Sequence, residues 1–184
     1  MREGVFEDLL DMKIVLIGYM GSGKSTIGKI LASRMNYPFM DLDEQIEQSE
    51  NLSIPEIFKQ KGEIYFRKLE NKVLKNLLSS AENLVLATGG GTPCYADSLE
   101  FMLKSSDTVV VYLKTSIPVL SERLFESRSD RPLVEHLESL EEMKTFIGIH
   151  LFERSYFYNQ AELTIENNEI SPLEVAEVIV EKLF

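Results

Sequence analysis

Residues 18–25 read G-Y-M-G-S-G-K-S and sit between two segments of opposite character. Before them, KIVLIG (13–18) is a short, β-branched apolar run of the kind that makes a buried strand. After them, KSTIGKILASRM (24–35) places Ile27, Ile30, Leu31 and Met35 at helical spacing. The pattern G-x-x-x-x-G-K-S at a strand–helix junction confines the chain to a strand, a tight glycine turn and a helix. Gly18, Gly21 and Gly23 let successive backbone N–H groups close around phosphate oxygens, and the helix aims its positive dipole end at the same point. Lys24 adds a full charge for β- and γ-phosphates, and Ser25 offers a hydroxyl ligand to Mg²⁺. The nucleotide-binding set is therefore Gly21, Ser22, Gly23, Lys24, Ser25 and Thr26. A glycine turn of purely structural use is the competing reading, but the fixed positions would meet by chance in under about 1 in 100 chains of this length.

The rest of the chain repeats the alternation. PFMDLD (38–43) reads as a second strand carrying Asp41 and Asp43 at its carboxyl end. Two helical segments follow, 54–61 and 63–78, then a strand running into three glycines (NLVLATGGG, 83–91). A buried strand (107–113), a helix (116–126), a polar loop (127–132), a long helix ending near Tyr158, a last strand (161–166) and a Ser-Pro-initiated helix (171–184) complete the order. Strands alternating with helices imply an α/β fold: a parallel sheet with helices on both faces and a ligand site at the strand carboxyl ends. No repeat or linker divides the 184 residues, so one domain over 12–184 is expected. Residues 1–11 read as a poorly ordered extension.

Composition narrows the function. Apolar residues make up 44% and charged residues 27%, as in an ordinary globular protein. No apolar run reaches membrane-span length, and the first residues lack the features of a signal peptide, so no membrane association and a cytoplasmic location are expected. The single cysteine, Cys94, fits a reducing compartment and reads as a small packing residue. A net charge of −11 argues against a nucleic-acid partner. An acidic protein that binds polyanionic nucleotide must gather positive charge locally. It has seven arginines, four of them at 123, 128, 131 and 154.

N-K-x-D and D-x-x-G, the guanine-reading and switch motifs of GTPases, are absent, and TGGGTPCY stands where nucleoside monophosphate kinases show D-G-[FY]-P-R. From Met12 to the C-terminus the chain resembles the shikimate kinase family. The landmarks, in the family's order, are GYMGSGKSTIGKILA, DLD at 41–43, IFKQKGEIYFRKLE at 57–70, TGGG at 88–91, and RPL at 131–133 followed by Arg154 in ERSYFY. The resemblance implies a three-layer P-loop fold around a five-stranded parallel sheet with a mobile lid at about 127–137. It also implies transfer of the γ-phosphate of ATP to the 3-hydroxyl of shikimate, a step toward chorismate and aromatic amino acids.

Roles follow from the resemblance residue by residue. Asp41 acts on the Mg²⁺ side through water, together with Ser25. Asp43 accepts hydrogen bonds from substrate hydroxyls and takes the proton of the attacking one; its competing reading is an N-cap for a helix starting near Glu44. Arg67 and Arg154 hold the shikimate carboxylate, which a planar fork suits better than lysine does. The backbone of Gly89, Gly90 and Gly91 contacts substrate, and Arg131 reaches the transferring phosphoryl group when the lid closes. Tyr156 stands where the family has proline two residues after Arg154, and 166–172 lacks the arginine some relatives carry near the adenine, so no base contacts are assigned. Arg123 suits either nucleotide contact or an exposed ion pair, and the register of Arg128 is ambiguous. His136 and His150 read as ordinary helix or loop residues. The partners expected are ATP and shikimate, bound by a monomer. A gluconate-type kinase and a non-catalytic nucleotide switch are the rival readings.

Overall fold

The computed structural model describes residues 12–131, 133–168 and 170–184, so the expected N-terminal extension (1–11) lies outside the described residues, as does Pro132 of the lid. Five strands form one parallel sheet: β1 (Lys13–Ile17), β2 (Phe39–Asp41), β3 (Leu84–Ala87), β4 (Thr108–Lys114) and β5 (Leu163–Glu166), in the order β2-β3-β1-β4-β5. β1 is central, with Lys13 opposite Leu84 on one side and Thr108 on the other.

The period of two along β1 divides the core. Val15 and Ile17 face one layer, with Leu84, Leu86, Val110 and Tyr112 beside them. Ile14 and Leu16 face the other, with Val85, Val111 and Leu113. Ile14 to Ile17 are all fully buried, and each such side chain contributes about 1.5–3 kcal/mol, which is why this strand reads as a continuous apolar run. α1 (Lys24–Met35) and α7 (Pro172–Leu183) cover the second layer through Ile27, Leu31, Val175, Ala176 and Ile179. α2 (Leu42–Glu50), α3 (Ile54–Ser80), α4 (Ser98–Lys104), α5 (Ile117–Glu126) and α6 (Leu140–Tyr158) cover the first.

Local signals account for the boundaries. Gly62, at φ 80° and ψ 170°, breaks α3 into the two helical segments that the sequence separates. Ser53 with Glu56 and Ser171 with Glu174 form capping boxes, each followed by a proline in the first turn. One expectation is corrected. The strand read over 38–43 stops at Asp41, whose carboxylate accepts the Asp43 N–H at 3.1 Å and starts α2. Two short helices, α2 and α4, add to the expected order. Among the described residues no helix is long and apolar enough to cross a membrane.

Candidate active site

Every strand delivers its carboxyl end to the same edge of the sheet, and a cleft of about 540 Å³ opens there. β1 enters the glycine turn at Gly18, whose φ is 143°; a Cβ there would lie 2.7 Å from the Leu113 carbonyl oxygen, so only glycine fits. Lys24 opens α1 and folds its ammonium back onto the turn, donating to the carbonyls of Gly18 (2.8 Å) and Tyr19 (2.9 Å). Burial lowers its pKa to about 8 against the opposing pull of Asp43 and Asp41, with Arg131 and Arg154 adding to the lowering. A cation so poorly solvated is stabilised by an arriving polyanion. Gly21, Gly23, Ser25 and Thr26 line the cleft, whereas Ser22 is fully buried and does not. Its carbonyl is held by the Asn167 amide at 2.6 Å.

Ser25 Oγ donates to Asp41 Oδ2 at 2.6 Å, joining a hydroxyl and a carboxylate beside the turn. Hard oxygen donors of this kind suit Mg²⁺, which keeps several waters and takes phosphate oxygens for the rest of its shell. Among the described residues no group of three His, Cys, Asp or Glu side chains could hold a metal by itself. Asp43 is not the second carboxylate of an alternating strand. It occupies the first turn of α2, and Asp41, not Asp43, is the N-cap. Both carboxylates still reach the cleft. Burial, then the charges of Asp41 and Glu70, push the Asp43 pKa up to about 6, with Lys24 opposing. That value places a carboxylate in the range of a working general base.

Beyond Asp43 lies the glycine turn after β3. Gly89 and Gly90 line the cleft; Gly91 sits under Arg67, where a Cβ would come within 2.9 Å of both terminal guanidinium nitrogens. Arg67 is therefore no solvated helix residue. Its Nη1 donates to Glu70 at 2.9 Å, and Glu63 lies 3.8 Å from its Nε. Arg154 approaches from α6, with Nη1 at 3.7 Å from the Cβ position of Gly90. Tyr158, four residues on along α6, donates its hydroxyl to the Gly90 carbonyl at 2.5 Å. Two arginines from different helices thus converge on one bare turn. Cys94, after the same turn, packs against the core, and burial raises its thiol pKa to about 11. It is no nucleophile.

On the nucleotide side, a single helical turn at Arg128–Asp130 carries Arg131 to the cleft, where Ser127 Oγ accepts from its Nε at 3.3 Å. Arg123 also lines the cleft and donates to the Gly21 carbonyl at 3.3 Å, so it is not paired with an acid on an exposed helix face. Arg128 turns away, donating to the Phe125 carbonyl and stacking 4.0 Å from the Phe125 ring. Asn167 and Pro172 complete this end of the cleft.

Glu70, Asn167 and Tyr158 escaped the sequence reading. Glu70 left a signal: it stands four residues after Phe66 and four before Leu74, a carboxylate on the buried stripe of α3. Such a position demands partners, and Arg67 and Thr92 supply them. Asn167 signals only by following the last strand.

A family model described as shikimate kinase matches residues 20–184. The shikimate kinase of Flavobacterium johnsoniae is 52% identical over 160 residues, covering 86% of this chain and 92% of that one. The crystal structure of shikimate kinase from Bacteroides thetaiotaomicron superposes with a TM-score of 0.85 at 35% identity, covering 94% and 98% of the two chains. Shikimate kinase from Acinetobacter baumannii in complex with shikimate gives a TM-score of 0.82 at 35% identity and covers 96% of each chain.

Proposed function

The chain belongs to the shikimate kinase family, and we propose that the side chains of this one cleft carry the family's reaction. The activity is ATP-dependent phosphorylation of the 3-hydroxyl of shikimate, yielding shikimate 3-phosphate and ADP. The observation that carries the assignment of roles is the position of Asp43, raised to about pH 6, between the phosphate turn with Lys24 and the glycine turn where Arg67 and Arg154 converge.

The fork of each arginine takes the shikimate carboxylate, so the ring is held by an end remote from the reacting hydroxyl. Asp43 accepts the 3-hydroxyl proton as that oxygen attacks the γ-phosphorus, and ADP departs on the opposite side. Lys24 leaves the carbonyls of Gly18 and Tyr19 for the phosphates, and with Arg131 it stabilises the charge spread over the transferring group. Arg123 and Asn167 border the remainder of the nucleotide. Ser25 directly, and Asp41 through water, would hold Mg²⁺, which supplies charge neutralisation between the β- and γ-phosphates. The residues around 127–137 act as a lid whose closure excludes water from this step. The cleft is assembled within one chain, so a monomer suffices for turnover; a net charge of −11 disfavours nucleic acid, and the small anionic substrates meet the positive charge gathered in the cleft at Lys24, Arg123 and Arg131. A cytoplasmic location accords with the use of ATP.

A coupled assay of ADP release tests the reading. Release should require shikimate, and should be at background with gluconate or with no acceptor. Turnover with gluconate in preference to shikimate would overturn the substrate, equal release with and without acceptor would mean ATP hydrolysis, and no release with either acceptor would leave only a nucleotide binder.

A further inference from the structure

Both histidines of the chain lie in a row of rings that leads from the lid side to the phosphate turn. His136 meets Phe146 edge-on at 6.3 Å, Phe146 packs on His150 at 4.2 Å, and His150 faces Tyr19 at 6.2 Å. Tyr19 is 1% exposed and its hydroxyl lies 2.9 Å from His150 Nδ1. The same Tyr19 touches both halves of the active site. Its ring lies under the Arg154 guanidinium at 5.5 Å, and its carbonyl accepts from Lys24 at 2.9 Å.

We propose that His150 and Tyr19 are positioning residues for the carboxylate clamp: the hydrogen bond between them fixes the ring on which Arg154 rests. This rests on the reading of Arg154 as a carboxylate ligand. Without such a bond a buried tyrosine hydroxyl is unsatisfied, and the ring would tilt to find a partner. Arg154 rests on the face of Tyr19 with its Nη1 beside Gly90, so a tilted ring frees the guanidinium to lose its aim. Burial raises the tyrosine pKa to about 12, which keeps its proton in place. Burial and then Arg154 lower the His150 pKa, with Glu153 opposing, so the ring is neutral at neutral pH and its Nδ1 accepts when the ring proton sits on Nε2.

The test compares KM values for shikimate and ATP in His150→Phe, His150→Asn and Tyr19→Phe. Phenylalanine at 150 keeps the packing on Phe146 and removes the acceptor; KM for shikimate should rise about threefold to tenfold, the effect of one hydrogen bond, with KM for ATP unchanged. Asparagine places Oδ1 where Nδ1 was and should restore most of the loss. Tyr19→Phe loses the same bond but leaves no buried hydroxyl unsatisfied, so it should raise KM for shikimate in the same direction by less than His150→Phe, and the double replacement should lose no more than the worse single one, because both act through one bond. A shikimate analogue with a neutral group in place of the carboxylate should be indifferent to all of them. Equal rises in both KM values, no rescue by asparagine, or an equal penalty on the neutral analogue would mean a packing role and overturn the proposal. If His150→Phe does not fold, Tyr19→Phe decides by the same criteria. Absence of shikimate-dependent ADP release in the unaltered protein would instead overturn the function itself.

Discussion

Arg67 and Glu70 form one unit at the cleft: the Nη1 of half-buried Arg67 donates to Oε2 at 2.9 Å, Glu70 is 2% exposed, and its other oxygen accepts the Thr92 hydroxyl at 2.6 Å. One turn of α3 therefore aims the guanidinium at the glycine turn, and the same carboxylate raises the Asp43 pKa. A side chain that looks like helix-surface charge in the sequence links the proposed carboxylate clamp to the proposed base.

Replacement of Glu70 by glutamine should act on both. The amide cannot accept from Arg67 and Thr92 as fully as the carboxylate does, and a charged hydrogen bond is worth about 1.5–3 kcal/mol, so kcat/KM for shikimate should fall roughly tenfold or more. With the negative charge gone, the Asp43 pKa falls, and the acid limb of kcat/KM should move to lower pH. A pH–rate profile checks this; a limb that stays in place would show that Glu70 does not tune Asp43.

Asp43→Asn should trade activity for stability. Removal of a general base is expected to cost about 10²–10⁴ in kcat. The folded protein holds Asp43 at about 6 against an ordinary 3.8, so folding favours the protonated form. That contribution is complete below the ordinary value and is lost as pH rises through about 6. At pH about 8 the buried charge costs on the order of 3 kcal/mol, which the neutral amide relieves. The variant should melt higher than the parent at that pH, and the gain should shrink as pH falls toward about 4. Equal melting temperatures across the range would remove the argument from burial.

Much of this was legible because the residues concerned obey local rules. The phosphate turn needs glycine at Gly18 and a cation at Lys24 whatever the rest of the chain does, and the break at Gly62 was visible as a split in the helical pattern. The strand carboxyl ends located the site. Asp43 was misplaced for a physical reason: two carboxylates in alternation read as a strand, but Asp41 captures the Asp43 N–H and turns the chain into α2 instead. Both placements deliver Asp43 to the same cleft. Glu70 pairs locally with Arg67, but its meeting with Thr92 spans 22 positions, and Asn167 and the Tyr19–His150 pair act through partners 145 and 131 positions away, which no local pattern encodes.

Gly91→Ala tests the close approach beneath Arg67. A methyl group would come within 2.9 Å of two guanidinium nitrogens whose neighbour, Glu70, is itself fixed. Arg67 must shift, and a misplacement of this size can cost up to about 10²-fold in catalytic efficiency. KM for shikimate should rise more than KM for ATP, because Gly91 meets Arg67 whereas its neighbour Gly90 is the residue that packs on the phosphate turn at Met20. An unchanged KM for shikimate would show that Arg67 has room to move without consequence.

Arg154→Lys examines the clamp itself, since the phosphate turn and the Mg²⁺ ligands would serve many acceptors and only the paired arginines demand an anionic one. Lysine preserves the charge but loses the fork and the stacking over Tyr19. The expected loss in kcat/KM for shikimate is on the order of 1.5–3 kcal/mol, the worth of a charged hydrogen bond, with ATP affinity hardly changed. An analogue whose carboxylate is replaced by a neutral group should be a poor substrate for the unaltered protein, and the substitution should penalise it far less than it penalises shikimate. Equal losses on both compounds would mean that Arg154 does not read the carboxylate, and the anionic end of the substrate would then rest on Arg67, as Glu70 positions it.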